Sequence, residues 1–301
     1  MPLRFTLRQL EYLVAVGEAG SIAAASDRVN VSSPSISAAI AQLEAEFGLA
    51  LFVRKHAHGL TLTQGGRQFM AQARAVLAEA ARLNDIAGAI SGEVRGPLSV
   101  GCLQTFAQVV LPRLRRGFAE RFPAVEFHQS ELDQTGIFEG LRSATLDVAL
   151  TYDLDIPSDI RFEPLIQLPP YAILPADHPL AGRATVSPAE LADLPMVLLD
   201  LPFSNDYFLQ VFAREGLRPR IVERTRDMGV MRSMVANGFG YSIANIGPLS
   251  EIAPDGGRLC HVPLGGPVRS LNLGLALIDG AGVALTVRAF LDHARAGLRP
   301  G

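Results

Sequence analysis

Residues 21–66 read SIAAASDRVNVSSPSISAAIAQLEAEFGLALFVRKHAHGLTLTQGG. The stretch predicts two short helices, a sharp turn, a longer helix and a β-wing, an order that offers one helix to a DNA groove. The longer helix follows from local rules. Ser32 or Ser33 can cap it, and Pro34 suits a first turn whose N–H has no intrahelical partner. Ile36, Ile40, Leu43 and Phe47 recur at spacings of four, three and four, which marks one buried stripe. The opposite face, with Ser33, Pro34, Ser35, Ser37, Ala38 and Gln42, is small and polar enough to approach base edges.

The flanks complete a small core. Gly20-Ser21 suits the end of one helix and the cap of the next, and Ala23, Ala24 and Ala25 permit a close helix crossing. Leu7, Leu10, Leu13, Val14 and Val16 supply the apolar stripe of a first helix. Beyond Gly48, Leu51 and Phe52 are apolar, Arg54, Lys55, His56 and His58 form a basic tip, and Leu60-Thr61-Leu62-Thr63 alternates as a strand does. A basic hairpin beside a recognition helix is placed to touch phosphates, and Arg28 and Arg67 are expected to join it on one surface.

RQLEYLVAV, GSIAAAS, SSPSISAAIAQLEAEFGLALFVR and LTQGG together resemble the N-terminal signature of the LysR-type transcriptional regulators. The likeness covers the first ninety residues closely and the remainder by length and layout. Many members carry glutamine at the place of Ser33 and a basic residue at the place of Ala38, so the usual base-reading side chains are shortened here. The resemblance implies a winged helix-turn-helix over residues 1–62, a linker helix over 63–91 and an effector-binding domain over 92–301. That domain would be a two-lobed α/β body like a periplasmic binding protein. Lobe I would take about 96–166 and 268–301, and lobe II about 167–267.

The residues from Thr63 support the linker independently. Phe69, Ala73, Val76, Ala80, Leu83 and Ala87 alternate spacings of four and three, the seam of two helices packed along their length. A homodimer through this helix is expected, with a core helix packed on its own domain as the competing reading. Tetramers and contact with RNA polymerase are implied by the resemblance alone.

Residues 91–97, SGEVRGP, break the helical pattern. Beyond them strands and helices alternate: Leu98 to Cys102, a helix through Leu114 and Phe118, Val125 to Gln129, a helix through Phe138 and Leu141, and Val148 to Thr151. Such alternation predicts a mostly parallel sheet with helices on both faces. Ligands in open α/β sheets bind beyond the carboxyl ends of strands. Four segments are therefore expected to converge: Gln104, Thr105 and Phe106; Tyr152; Asp200 to Asn205, with Phe203 and with Ser204 as a cap; and Tyr241 with Ser242. Helix N-termini there favour a small carboxylate, while Asp200 and Asp206 equally suit an amino group, so an amino acid is as compatible as an organic acid. In the family a hydroxyl residue often contacts the ligand at the position of Thr105.

Composition sets limits. With 301 residues, 49% of them hydrophobic, about two domains with sizeable cores are expected. No apolar run approaches the roughly 18–20 residues of a membrane span, and Arg4, Arg8 and Glu11 interrupt the start, so neither a span nor a secretory signal is expected and the location is taken as cytoplasmic. Residues 1–95 carry nine basic against eight acidic side chains, so placement rather than net charge must create a DNA-binding surface. Cys102 and Cys260 lie far apart in strand-like surroundings without metal-ligand spacing. No HExxH, GxSxG, Walker loop, strand-borne GxGxxG or CxxC is present, which argues against an enzyme and predicts no cofactor or metal. A cytoplasmic small-metabolite-binding protein without specific DNA regulation is the alternative.

Overall fold

In a computed structural model, which describes residues 4–55, 59–91, 93–246, 250–280 and 283–298, local capping sets out the N-terminal helices. Helix α1 (Leu7–Ala19) starts in a capping box in which Thr6 accepts from the Gln9 backbone and the Gln9 side chain returns the bond. It stops at Gly20, whose φ of 66° is left-handed and costs glycine little. Ser21 caps α2 (Ile22–Val29) by accepting from Ala24 N at 3.1 Å. Helix α3 (Ser33–Phe47) begins after Ser32, whose hydroxyl meets that of Ser35 rather than capping the backbone. Leu10, Leu13, Val16, Ala25, Ile36, Ile40, Leu43 and Leu51 form one buried core.

Two members of the expected stripes differ. Leu7 is 46% exposed, and Phe47 is 43% exposed, with its ring stacked between Phe5 and Phe69 at the edge of the core. Leu7 opens α1 and Phe47 closes α3, so each stands at a helix end rather than along the packed stripe.

The wing is a hairpin of β1 (Phe52–Lys55) and β2 (Gly59–Leu62), antiparallel with Phe52 opposite Leu62. Helix α4 (Gln64–Ser91), of 28 residues, is about 40 Å long at the usual rise. Thr63 caps it as expected, accepting from Gly66 N at 2.8 Å. Phe69, Ala73 and Leu77 pack into the N-terminal core, whereas Val76, Leu83 and Ile86 are exposed.

The chain divides into two compact units, the first built on Met1–Gly96 and the second on Pro97–Arg142 with Leu146–Gly301. The second opens with β3 (Gly96–Leu103), α5 (Gln104–Ala107), α6 (Leu111–Arg121), β4 (Val125–Leu132), α7 (Gln134–Arg142), β5 (Val148–Tyr152) and β6 (Ile160–Leu168). It continues as β7 (Tyr171–Pro175), α8 (Pro188–Leu191), β8 (Pro195–Leu199), α9 (Ser204–Ala213), β9 (Arg220–Thr225), α10 (Met228–Ala236), β10 (Ser242–Ala244) and β11 (Leu259–Pro263). It closes with β12 (Leu271–Ile278) and α11 (Leu285–Gly297).

One sheet has the order β4-β3-β5-β12-β6 and defines the first lobe. In the second lobe β10-β7-β11 and β8-β9 are joined by a bridge between Met196 and Tyr241. The sheets are mixed rather than mostly parallel: β3 pairs β5 and β8 pairs β9 in parallel, but β12 runs antiparallel to β5 and β6, and β7 to β10 and β11. The cause is the double crossing. Strands β6 and β12 carry the chain out of the first lobe and back into it, so their directions oppose.

Helices do cover both faces of the second lobe. Along its strands Ile173, Val197, Leu199 and Ala244 point into the core of α10, while Ala172, Leu174, Met196, Leu198 and Ile243 join that of α9, the alternation expected of a strand buried on both sides. In the first lobe Phe118 of α6 packs edge-on against Phe290 of α11.

Candidate nucleic-acid interface and candidate ligand cleft

In the N-terminal unit, Pro34, Ser35, Ser37, Ala38 and Gln42 are exposed along α3 and Ser33 is half-buried, while Ile36, Ala39, Ile40 and Leu43 face inward. The predicted face is therefore the one α3 presents outward. Gln42 is partly engaged, since its Oε1 accepts from Gln9 Nε2 at 2.8 Å. That bond ties α3 to α1 and leaves the Gln42 amide as a donor.

Arg28 is engaged within the head although its side chain is largely exposed. It pairs with Glu18, which also holds Arg74, so a carboxylate competes for its charge. Arg67 bonds the Leu62 carbonyl at 3.0 Å, so only part of its donor capacity is left for phosphate. Arg54 and Lys55 lie in β1 opposite Leu60 and Gly59. His56 and His58 fall outside the described residues.

What fixes the wing is a residue that the sequence reading missed. Glu44 Oε1 accepts from Leu51 N at 2.7 Å and Phe52 N at 3.2 Å, so α3 itself holds the entry into β1. A lone glutamate on a helix gives no sequence signal for this. Leu60 N donates to Gly20 O at 2.8 Å, pinning the other strand to the end of α1.

In the C-terminal unit the parallel pair β3 and β5 ends at one sheet edge, and there Thr105 and Tyr152 come together. Thr105 is buried and its hydroxyl lacks a well-formed hydrogen bond. Burial pushes the Tyr152 phenol well above its ordinary range, and the Thr105 hydroxyl beside it pulls in the opposite direction. Phe106 closes one side with its ring 4.6 Å from that of Tyr152, and Gln104 is half-buried at the start of α5. Gln134 belongs to the same edge, because its Nε2 donates to Leu154 O just past β5 while its Oε1 is buried without a partner. It was missed because β4 runs three residues beyond Gln129, through a polar edge stretch that conceals the strand's length.

In the second lobe Asp200 and Asn205 meet as expected but are spent on each other. Asn205 Nδ2 donates to Asp200 Oδ1 at 2.9 Å and Arg224 to Oδ2 at 3.2 Å; the Asn205 bond, then Arg224, hold the Asp200 carboxyl below the ordinary carboxylate range. Ser204 is not a cap. It is the first residue of α9, and Phe203 occupies the cap position at φ 64° without a side-chain cap bond. Asp206 is exposed.

Tyr241 and Ser242 do not join this edge. Tyr241 bridges Met196 at the amino-terminal start of β8, so both residues lie at the opposite end of β10. The carboxyl end of β10 is followed instead by Asn245, whose Nδ2 donates to Leu168 O at 2.9 Å and Tyr207 Oη at 3.0 Å. The two residues follow the helix that stops at Asn237 and stand at the start of β10 rather than after it, because a three-residue strand gives no periodic signal in the sequence.

Contacts between the lobes mark their facing edges. The Phe138 and Phe203 rings stand 5.8 Å apart, and Arg226, just past β9, pairs with Asp133 at 3.4 Å. Both cysteines are poor nucleophiles, since burial raises the thiol pKa of Cys102 strongly and that of Cys260 as well. Among the described residues no cluster of His, Cys, Asp and Glu could hold a metal ion, and no helix is long and apolar enough to cross a membrane.

A winged helix-turn-helix joined by a long helix to a two-lobed α/β body defines a ligand-responsive DNA-binding protein. Residues 7–67 match the bacterial regulatory helix-turn-helix model of the lysR family, and residues 91–299 match the LysR substrate binding domain. The chain thus belongs to the LysR family of transcriptional regulators. It is similar to HinK, a LysR family transcriptional regulator from Pseudomonas aeruginosa, at 35% identity over 98% of this chain and 99% of that one, with a TM-score of 0.66. It is 28% identical to the HTH-type transcriptional regulator CysB of Haemophilus influenzae over 79% of this chain and 74% of the relative. A solved structure of full-length CbnR complexed with its target DNA matches at 26% identity over 98% of this chain and 100% of that one, with a TM-score of 0.58. The relatives bearing this architecture are named as transcriptional regulators, not enzymes.

Proposed function

We propose that this regulator answers to a small carboxylate or amino acid held between its two lobes. The observation that carries the reading is the group of buried polar atoms at the carboxyl edge of the first lobe's sheet: the Thr105 hydroxyl against the Tyr152 phenol, and Gln134 Oε1 with no hydrogen-bond partner among the described residues. A buried polar group left unpaired costs about 1–3 kcal/mol, and a ligand oxygen or amine recovers that loss. Gln134 Oε1 and Asn245 Oδ1 are buried acceptors in the same condition, which favours a ligand that also carries N–H or O–H donors. Asp200 is already paired, so an amino group would be met by these amide oxygens instead.

Ligand binding would favour one lobe arrangement over another, acting on the Phe138–Phe203 and Asp133–Arg226 contacts. The change would pass to DNA through a cytoplasmic homodimer joined along α4, with tetramers and RNA polymerase as further partners. The DNA-reading set would be Ser33, Pro34, Ser35, Ser37, Ala38 and Gln42 with Arg54 and Lys55. A metabolite-binding protein without specific DNA regulation would share the lobes but make no use of the wing.

The test is Thr105→Val in a reporter strain carrying the cognate promoter. The variant is expected to lose the response to effector while its DNA affinity stays within about two-fold of wild type. Undiminished induction would remove Thr105 from the site.

A further inference from the structure

Away from the facing lobe edges, α9 and the crossover that returns to the first lobe line a partly open cavity of about 250 Å3. Its lining is apolar at Val211 and Val268, includes the buried Tyr207, and carries the exposed Arg214, Glu215 and Arg269. The position is mechanical as well as chemical. Tyr207 Oη donates to Arg269 O at 2.6 Å and accepts from Asn245 Nδ2, which also donates to Leu168 O, so one clasp ties α9 to both crossing strands. Arg269 in turn donates to the backbone and side chain of Asp153, just past β5.

The charge around the phenol is specific. Burial raises the Tyr207 pKa; the Asn245 bond, then Arg269 and Arg214, act to lower it, and Asp153 acts with burial to raise it. Glu215 stands near Gly266 of the crossover and Asp153 holds one Arg269 nitrogen, so Arg269 offers a ligand its remaining N–H donors while Arg214 lines the same cavity. Guanidinium donors suit a planar carboxylate, and an apolar floor suits a hydrocarbon body. The volume lies below the roughly 300–1,000 Å3 of drug-sized pockets, so the ligand is small.

We propose that this cavity is a second small-molecule site, distinct from the cleft, that takes a monocarboxylate with an apolar body and acts on the lobe hinge. The carboxylate lies between Arg214 and Arg269, and the body rests on Val211 and Val268. A ligand seated there touches α9 and the crossover at once, so it favours whichever lobe angle keeps the clasp closed. That consequence rests on the reading of the lobes as the effector-sensing body; the binding itself does not.

The probe is para-fluorobenzoate, followed by fluorine NMR line broadening on the full chain. Broadening at millimolar probe is expected with wild type and with the cleft variant Thr105→Val. It should disappear when Val211→Trp fills the cavity, and Arg214→Gln, an exposed change that leaves the core untouched, should weaken Kd about ten-fold. Absence of broadening with wild type, its survival unchanged in both Val211→Trp and Arg214→Gln, or its loss in Thr105→Val would each overturn the proposal. Operator binding by fluorescence anisotropy is read in parallel. Loss of operator preference with cavity binding intact would strike the regulator reading and leave the second site standing.

Discussion

Gln42 and Arg28 were both expected to meet DNA, and their bonds separate them. Gln42 uses its carbonyl toward Gln9 and keeps a donor for a base edge. Arg28 is taken up by Glu18, in a surface pair worth only about 0–1 kcal/mol, so a phosphate can compete for it but gains less than from an unpaired cation. The wing then carries more of the electrostatic attraction. Arg54→Ala should weaken binding to every duplex and reduce the slope of log K against log salt by about one. An unchanged slope would show that Arg54 makes no phosphate contact. The same scale explains which cleft residues could be foreseen. A hydroxyl directly after a strand, as at Thr105, can be located from sequence, but that Asp200 is consumed by Asn205 and Arg224 depends on distances that appear only on folding.

Elements were legible where a local rule fixed their ends. The stops at Gly20 and Gly48 and the caps at Ser21 and Thr63 follow from residue type, so the helices of the head fell where expected. Strands β3, β4, β5 and β8 of the C-terminal body were foreseen, but β6, β9, β10, β11 and β12 and the strand directions were not, because partner strands come from distant sequence. That is why β4 ran past its expected end and why the short β10 was not recognised as a strand. One element junction can be tested directly. A Cβ on Gly66 would lie 2.1 Å from the Leu51 carbonyl oxygen, where α4 begins beneath the wing. Backbone cannot yield as a flexible side chain can, so Gly66→Ala should destabilise the head by about 1–3 kcal/mol and lower its Tm in thermal denaturation followed by circular dichroism. A Tm equal to wild type would contradict this close packing.

For the whole molecule, the proposed dimer places its subunit contact on the linker helix. Leu83 is 67% exposed and Ile86 58% exposed on α4, a placement unfavourable for a lone chain and suited to a partner helix. Leu83→Glu should shift sedimentation from dimer toward monomer and weaken operator affinity by at least about ten-fold, because a two-fold protein reads two half-sites together. An unchanged dimer would place the subunit contact elsewhere.

The central claim is that this head reads sequence with short side chains on α3 and a wing held by Glu44. Fluorescence anisotropy of the full chain on the duplex upstream of its own gene and on a scrambled duplex, across a salt series, tests it most directly. The account predicts a preference for the native duplex that persists as salt rises and non-specific binding is lost. Equal affinity for the two duplexes at every salt concentration would contradict it.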